Sequence, residues 1–315
     1  MGLAQGSGRS PGQLSRRAFV AAAASAAAKS AAAQRPIRIG APVFVNSDDP
    51  QELAREHRRL GYSAAYCPDA SVSDRERTEA IRKAFSDSDV AIAEVGAWKN
   101  MLDPNPETRR DNLRYVVERL ALAEAVDARC CVNIAGSYDA EVWYGPHPQN
   151  LTEEAFDATV ENCRKVIDEV RPTRTKFSIE MMGWVWPDSP DAYLRLIRAV
   201  DREAFGVHID VCNIVNSPRR FYGNAELIRE CFRKLGRWAV SCHAKDLAWK
   251  VELNVHFVEV IPGRGQIDYR TYLSELSGAP VEAPLMIEHL KGPEQYLEAF
   301  NYIKRVGSEV GVGFL

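Results

Sequence analysis

The stretch KFSIEM at residues 176–181 is a short apolar run with an ionisable residue near its end, and three later stretches share this character. They are GVHIDV at 206–211, AVSCHA at 239–244 and LMIEHL at 285–290. Apolar runs of this length, separated by longer segments of helical period, are typical of buried parallel strands. The four stretches therefore predict consecutive strand–helix units of one parallel sheet.

Four more apolar runs come earlier in the chain and complete a set of eight, at 37–42, 63–67, 90–95 and 130–135. The intervals between runs carry apolar stripes at steps of three and four residues, as in Leu113, Val116 and Leu120. Such a stripe is the signature of a helix with one face against a core. Eight strand–helix units fit a closed barrel better than an open sheet. The predicted fold is therefore α/β, a single-domain (β/α)8 TIM barrel at residues 34–315.

The longest interval without a clear helix runs from Asp246 to Asp268, after the seventh predicted strand. Long loops at the C-terminal ends of barrel strands often carry substrate contacts. Residues 255–260 are predicted to form an extra hairpin arm, and Pro-Gly-Arg-Gly at 262–265 a sharp turn. We interpret the interval as a lid or specificity loop, with an exposed loop of no particular function as the alternative.

The N-terminal segment has the order of an export signal. Arg16 and Arg17 precede an alanine-rich apolar run, and the alanines at 31–33 supply a small-residue cleavage site. The paired arginines resemble the twin-arginine signal of bacterial export. Residues 1–33 are therefore predicted to be a cleavable signal peptide, with a disordered tail as the alternative, and the mature protein to be periplasmic or otherwise exported. The apolar run is too short and too weakly apolar for a stable membrane anchor.

Composition and cysteine spacing exclude some classes of protein. The chain has 315 residues, of which 46% are hydrophobic and 26% charged, and a net charge of -3, which is ordinary for a globular protein. It lacks the basic excess of a nucleic-acid-binding domain, so no nucleic-acid partner is predicted. The seven cysteines have no C-x-x-C spacing, which indicates buried apolar side chains rather than a disulfide framework or a zinc knuckle.

The last four predicted strands end in ionisable residues, namely Glu180, Asp210, His243 and Glu288. The C-terminal ends of barrel strands converge, so these side chains are expected to meet. Buried carboxylates need a common counter-charge, and three carboxylates with one imidazole form a hard donor set for one divalent metal ion. We expect Mn²⁺, with Mg²⁺, Co²⁺ or Zn²⁺ as alternatives. The alternative interpretation of the four residues is a buried salt-bridge cluster with lysine or arginine and no metal ion.

Several motifs resemble those of a known family of barrel enzymes. They are Ser-Ile-Glu at 178–180, His-Ala-Lys-Asp at 243–246, Pro-Gly-Arg-Gly-Gln-Ile-Asp-Tyr at 262–269 and Ile-Glu-His at 287–289. Over residues 37–315 the chain resembles the xylose isomerase-like superfamily of sugar isomerases and epimerases. This superfamily includes ketose 3-epimerases, inosose dehydratase and, more distantly, endonuclease IV. The resemblance implies that one divalent metal ion is bound by Glu180, Asp210, His243 and Glu288.

The resemblance also implies a reaction, proton transfer at a carbon next to a carbonyl. This chemistry needs a base, an acid and stabilisation of an enediolate, and a divalent cation held by the carbonyl and a neighbouring hydroxyl gives that stabilisation. Glu180 and Glu288 match the glutamates that exchange the proton in ketose epimerases. The chain departs from many such enzymes at Asn213, where they have a substrate-binding histidine, and at Trp186, where they often have another glutamate. These departures weaken an assignment to the ketose 3-epimerases in particular.

Other residues near the strand ends are candidates for binding a substrate. His208 faces the barrel interior with Asp210, where it either orients a ligand or is an ordinary core histidine. Lys245 lies on the same face as His243 and would bind a substrate oxygen, unless it pairs with Asp246. The remaining candidates are one amide, three aromatic side chains that would stack on a sugar or merely close the core, and three residues of the long loop. They are Asn213, Trp98, Trp184, Trp186, His256, Glu259 and Arg264.

The leading hypothesis is a metal-dependent isomerase or epimerase of an unphosphorylated sugar, because no glycine-rich phosphate cradle follows the last two strands. A lyase or dehydratase acting on a keto-sugar or 3-keto-glycoside would use almost the same site. A nuclease like endonuclease IV needs more histidines at strand ends. A non-catalytic sugar-binding protein would not need all four ligand positions. The expected partner is a small-molecule sugar, and a homo-oligomer is compatible with the family although no segment marks an interface.

Overall fold

Eight parallel strands close into a barrel in the computed structural model of the protein, which describes residues 1–2 and 34–315. The barrel strands are β1 (Ile39–Gly40), β2 (Ala64–Tyr66), β3 (Ala91–Gly96), β4 (Cys130–Asn133), β5 (Lys176–Glu180), β6 (Phe205–Ile209), β7 (Ala239–Ala244) and β10 (Leu285–Ile287). Each overlaps one of the eight predicted runs, so the predicted (β/α)8 TIM barrel is confirmed. The predicted signal peptide lies almost wholly outside the described residues.

Helices alternate with the strands and surround the barrel. They are α1 (Pro50–Arg59), α2 (Arg75–Asp87), α3 (Pro106–Val126), α4 (Glu153–Val170), α5 (Pro190–Val200), α6 (Pro218–Tyr222), α7 (Asn224–Leu235), α8 (Tyr269–Ser277) and α9 (Gly292–Glu309). Side-chain caps begin several of them, as where Asn105 accepts hydrogen bonds from the backbone N–H groups of Glu107 and Thr108. Such caps satisfy N–H groups that have no partner within the helix. Among the described residues, no helix has both the length and the apolar character of a membrane span.

The strand register sets polar side chains side by side in the barrel interior. Glu180 of β5 pairs with His208 of β6, and His208 pairs with Ser241 of β7. Successive residues of a strand point to opposite faces, so Ser241 and His243 both face inward, in successive layers. Six of the seven cysteines are buried and all seven are free, as the sequence indicates. The barrel interior therefore combines buried apolar side chains with a group of inward-facing polar ones, namely Glu180, His208, Ser241 and His243.

Several predicted strands are too long at their C-terminal ends, and two of these carry candidate ligands. The predicted run 206–211 ends as a strand at Ile209, and the run 285–290 at Ile287. Asp210 is followed by a single helical turn at Cys212–Ile214, and His289 has a positive φ of 59° that a strand does not accommodate. Asp210 and Glu288 are consequently the first residues past the ends of their strands, where the backbone turns at the mouth of the barrel.

The long interval after β7 forms an antiparallel hairpin of β8 (Asp246–Trp249) and β9 (Phe257–Val260). The predicted hairpin arm at 255–260 is therefore present, although it begins two residues later. Behind it the chain turns at Gly263, whose φ of 97° favours glycine. The carboxylate of Asp246 accepts the backbone N–H groups of Gly263, Gly265 and Ile267 at 2.9, 3.0 and 2.9 Å. One buried side chain thus ties the turn to the base of the hairpin.

Candidate metal centre

The four residues that the sequence marks as ligands come together at the C-terminal end of the barrel. Glu180, Asp210, His243 and Glu288 each offer one ligand atom, and these atoms all lie within 4.8 Å of one another. The first three residues are at most 4% exposed, and the side chain of Glu288 is 12% exposed. The site is therefore almost closed, and Glu288 is the most exposed of its four side chains.

The imidazole of His243 is the centre of the cluster. Its Nδ1 lies 3.1 Å from Glu180 Oε1, 2.7 Å from Glu288 Oε1 and 3.4 Å from Asp210 Oδ2. Three carboxylates from three different strands thus converge on one ring nitrogen. This convergence follows from barrel closure, because the strand ends point at a common axis.

Lys245 enters the same cluster from the residue after β7. Its Nζ lies 2.6 Å from Glu288 Oε1 and 2.9 Å from Asp210 Oδ2, and it donates a hydrogen bond to the amide oxygen of Asn213 at 3.2 Å. The alternative pairing of Lys245 with Asp246 does not occur, because the Asp246 carboxylate is directed at the turn instead. Lys245 is 3% exposed, and its ammonium neutralises part of the carboxylate charge.

The residues present fit a divalent cation. Three carboxylates face one lysine and one imidazole, so the cluster has negative charge in excess whenever His243 is neutral. Asp210 Oδ2 and Glu288 Oε1 are fully buried and accept no hydrogen bond of acceptable geometry, although both lie within ion-pair distance of Lys245. Buried polar atoms without hydrogen-bond partners are rare in proteins, and hard oxygen donors with one imidazole suit Mn²⁺ or Mg²⁺.

Two opposing effects set the pKa values in this cluster: burial disfavours the charged forms, and the attraction between opposite charges favours them. Burial raises the pKa of Asp210, but the charges of Lys245 and His243 outweigh that effect and hold it well below its ordinary value. The pKa of Glu288 is lowered by the same two neighbours against the effect of burial. Burial lowers the pKa of Lys245, and the surrounding carboxylates reverse this and raise it well above normal. Asp210 and Glu288 are therefore ionised, and the ammonium of Lys245 is charged.

Sequence reasoning missed Glu94, a buried carboxylate one layer below the cluster. Glu94 Oε1 accepts a hydrogen bond from His208 Nε2 at 2.9 Å and another from the Ser241 hydroxyl, and Oε2 accepts one from His243 Nε2 at 3.2 Å. Burial raises the pKa of Glu94, but His243 and His208 outweigh it and hold the pKa far below the ordinary value. A signal was present, because Glu94 is the only charged residue in the apolar run 90–95.

Besides Lys245, two further predicted binding residues lie against the ligands. The Asn213 amide donates a hydrogen bond to Glu180 Oε1 at 2.8 Å, and its backbone N–H donates to Asp210 Oδ1 at 3.1 Å. His208 is fully buried, with its ring centroid 4.1 Å from that of His243. Its position favours the orienting role proposed from sequence over direct contact with a substrate.

Other predicted residues lie further out. The Trp186 ring packs on Phe156 with centroids 5.2 Å apart, and its N–H donates to the Thr152 carbonyl, which favours closing the core over stacking on a sugar. His256 pairs with Glu252 in the hairpin at 2.8 Å. Trp98 and Trp184 are exposed at loops after β3 and β5. Their roles in sugar binding stay predictions.

A cleft of about 290 Å³ opens outward from the cluster and joins it to solvent. Lys245 and Glu288 form its inner wall, and Glu259 and Arg264 of the long loop line its outer part. Glu259 Oε2 also binds His289 Nδ1 at 2.8 Å, and Arg264 pairs with Glu298 at 2.7 Å. The long loop thus contributes side chains to the entrance, as its interpretation as a specificity loop requires.

The fold is that of a family of barrel proteins. Residues 52–306 match the family described as xylose isomerase-like TIM barrel, and the chain belongs to this family. Comparison with curated protein sequences finds no significant match.

Solved structures of the same fold include proteins with named activities. One is a D-psicose 3-epimerase from Clostridium cellulolyticum H10, with a TM-score of 0.61, 13% identity, and coverage of 86% of this chain and 99% of that one. Another is a 3-keto-D-glucoside 4-epimerase from E. coli, with a TM-score of 0.61, 13% identity, and coverage of 85% and 99%. A third, from Mycobacterium smegmatis, is a xylose isomerase-like TIM barrel protein in complex with magnesium, with a TM-score of 0.61, 17% identity, and coverage of 87% and 97%. At these identities the likeness concerns the fold.

Proposed function

We propose that the protein is a divalent-metal-dependent sugar isomerase or epimerase that acts on an unphosphorylated sugar. The observation that carries the proposal is the approach of two glutamates from different strands, Glu180 and Glu288, to the same ring nitrogen of His243, at 3.1 and 2.7 Å. Two carboxylates held at one site can remove a proton and return one. Membership of a family that contains sugar isomerases and two structural neighbours named as epimerases add support.

The residues divide the work of proton transfer. One glutamate takes the proton from the carbon next to the carbonyl, and the electron pair moves toward the carbonyl oxygen. The other glutamate enters the step protonated and gives its proton to the opposite face of the carbon, which inverts that carbon and leaves this second carboxylate ionised. Asn213 keeps Glu180 in place through the 2.8 Å hydrogen bond, and the nearly closed site limits the access of water to the reacting carbon.

Glu180, Asp210, His243 and Glu288 would hold the metal ion, because their donor atoms lie within 4.8 Å of one another. A bound divalent cation supplies Lewis acidity toward the substrate oxygens that gain negative charge. Mn²⁺ is our first choice for this donor set, and Mg²⁺ is supported by the magnesium complex of one structural neighbour.

The test is deuterium exchange in D2O, followed by NMR. The chain without residues 1–33 would be incubated with free ketoses and with 3-keto-glycosides, with Mn²⁺ or with EDTA. We expect deuterium to enter beside the carbonyl of one substrate class, and the exchange to be lost with EDTA and in Glu288→Gln. The matched control is Glu226→Gln, whose side chain on α7 is 68% exposed and which should exchange at the wild-type rate.

The products decide between the proposal and its alternatives. An epimer or isomer carrying deuterium supports the proposal. An unsaturated product would assign the protein to the lyases instead. Exchange that survives EDTA would contradict the metal dependence, and no exchange with any substrate, together with tight sugar binding, would favour a non-catalytic binding protein.

A further inference from the structure

Glu94 is a buried carboxylate of β3 that accepts hydrogen bonds from several side chains. It is 1% exposed, and three donors surround its carboxylate: His208 Nε2, the Ser241 hydroxyl and His243 Nε2. An ionised carboxylate can only accept hydrogen bonds. Each imidazole therefore donates an N–H to Glu94. For His243, the nitrogen that faces Glu94 and carries this proton is Nε2.

This arrangement decides which nitrogen of His243 faces the carboxylate cluster. With Nε2 donating to Glu94, the opposite nitrogen, Nδ1, lies toward Glu180 and Glu288 at 3.1 and 2.7 Å. The ring cannot rotate without breaking contacts on both sides, and the His208 ring packs edge-on against it. When His243 is neutral, its lone pair is thus directed at the cluster.

We propose that Glu94 is the residue that positions His243 for metal binding, by fixing both the tautomer and the orientation of the ring. The inference rests on the proposed metal site. It adds to that site a residue that touches neither the cation nor the substrate. Carboxylates that accept the second N–H of a metal-binding histidine are a general means of setting its tautomer and raising its basicity. Here a single carboxylate serves two imidazoles.

Glu94, His208 and His243 also lie close enough together to hold an ion themselves. Their hydrogen bonds, at 2.9 and 3.2 Å, already occupy the ring nitrogens that such an ion would need, and Ser241 takes a further position on the carboxylate. The geometry points to positioning rather than to a second metal site.

The first test compares Mn²⁺ affinity by calorimetry in the wild type, Glu94→Gln and a control, each without residues 1–33. The two imidazoles contact different oxygens of Glu94, and a glutamine in the same place has one oxygen and one NH2 donor. The pair of hydrogen bonds that fixes the His243 tautomer therefore cannot be kept. We expect Mn²⁺ binding to weaken by about 10- to 100-fold. The control is Glu124→Gln, a carboxylate that binds the backbone N–H groups of Arg174 and Thr175 away from the cluster, and it should bind Mn²⁺ like the wild type.

The second test needs no variant and covers the case in which Glu94→Gln fails to fold. In the 15N-labelled, Mg²⁺-saturated wild type, NMR of the histidine rings should find the proton of His243 on Nε2. A proton on Nδ1 would overturn the inference, as would equal Mn²⁺ affinities of the wild type and Glu94→Gln. Absence of divalent-cation binding in the wild type would overturn the proposed function itself and the inference with it.

Discussion

The ammonium of Lys245 lies among carboxylates that would otherwise repel one another. Its Nζ approaches Glu288 and Asp210 within 3 Å, and its side chain is 3% exposed. A lysine is rarely buried unless it is paired, so the cluster and the lysine depend on each other. A divalent cation and Lys245 would supply the same kind of charge to the same oxygens.

Replacing Lys245 should therefore make the fold depend on metal. In the presence of EDTA, Lys245→Met should lower the free energy of unfolding by about 3–5 kcal/mol, because the buried carboxylates lose their partner. Saturating Mn²⁺ should restore more stability to this variant than it adds to the wild type. The measurement is urea unfolding with and without the ion.

The control for this prediction is Lys83→Met, whose ion pair with Asp87 is exposed on α2 and should contribute less than about 1 kcal/mol. If Lys245→Met unfolds at the same urea concentration as the wild type in EDTA, the buried ammonium does not stabilise the carboxylates.

The β8–β9 hairpin adjoins the cleft, which is lined by Glu259 and Val260 of β9. It follows directly on Lys245, and the turn behind it is held by Asp246. Gly265 passes so close to the Asp246 carboxylate and the Leu247 carbonyl that a Cβ at this position would overlap both. The position of the hairpin thus depends on a residue without a side chain.

Gly265→Ala should loosen the hairpin while leaving the barrel folded. The added methyl group must displace Asp246 or Leu247, at a cost of about 1–3 kcal/mol for overpacking. Hydrogen exchange of the amides at residues 246–268 should become faster, with the amides of β5 and β6 unchanged. Gly313→Ala is the matched control, because a Cβ there would meet only Pro36 at 3.9 Å. Unaltered exchange in Gly265→Ala would contradict the close fit.

At the scale of the whole molecule, barrel closure turns strand ends that are distant in sequence into one site. Residues Arg35–Leu315 form one compact unit, and the cluster draws on four of its strands. Because the barrel places all carboxyl ends of its strands on one face, a cleft and a chemical site coincide there. Export of the folded chain, as proposed for the N-terminal segment, would deliver this site already assembled.

Substitution of the paired arginines tests that export. Replacing Arg16 and Arg17 by lysine in the full chain should retain the protein in the cytoplasm of a bacterial host that has a twin-arginine pathway. Cell fractionation and mass determination measure the outcome, and exported wild type should begin near Gln34. Replacing Arg58 and Arg59, another adjacent pair, by lysine should leave export unchanged. Equal export of both variants would contradict the predicted signal.

The sequence by itself determined the eight strands, the helices between them and the four residues at the strand ends, because periodicity and strand-end chemistry are local properties. It missed Glu94, since a single carboxylate in an apolar run does not say what it contacts. The hydrogen bond from His243 to Glu94 spans 149 residues of sequence, and only barrel closure and strand register bring its two ends together. The tertiary structure likewise decided that Lys245 pairs with Asp210 and Glu288 while Asp246 binds the turn, because which face a side chain takes at a strand end depends on neighbours distant in the chain.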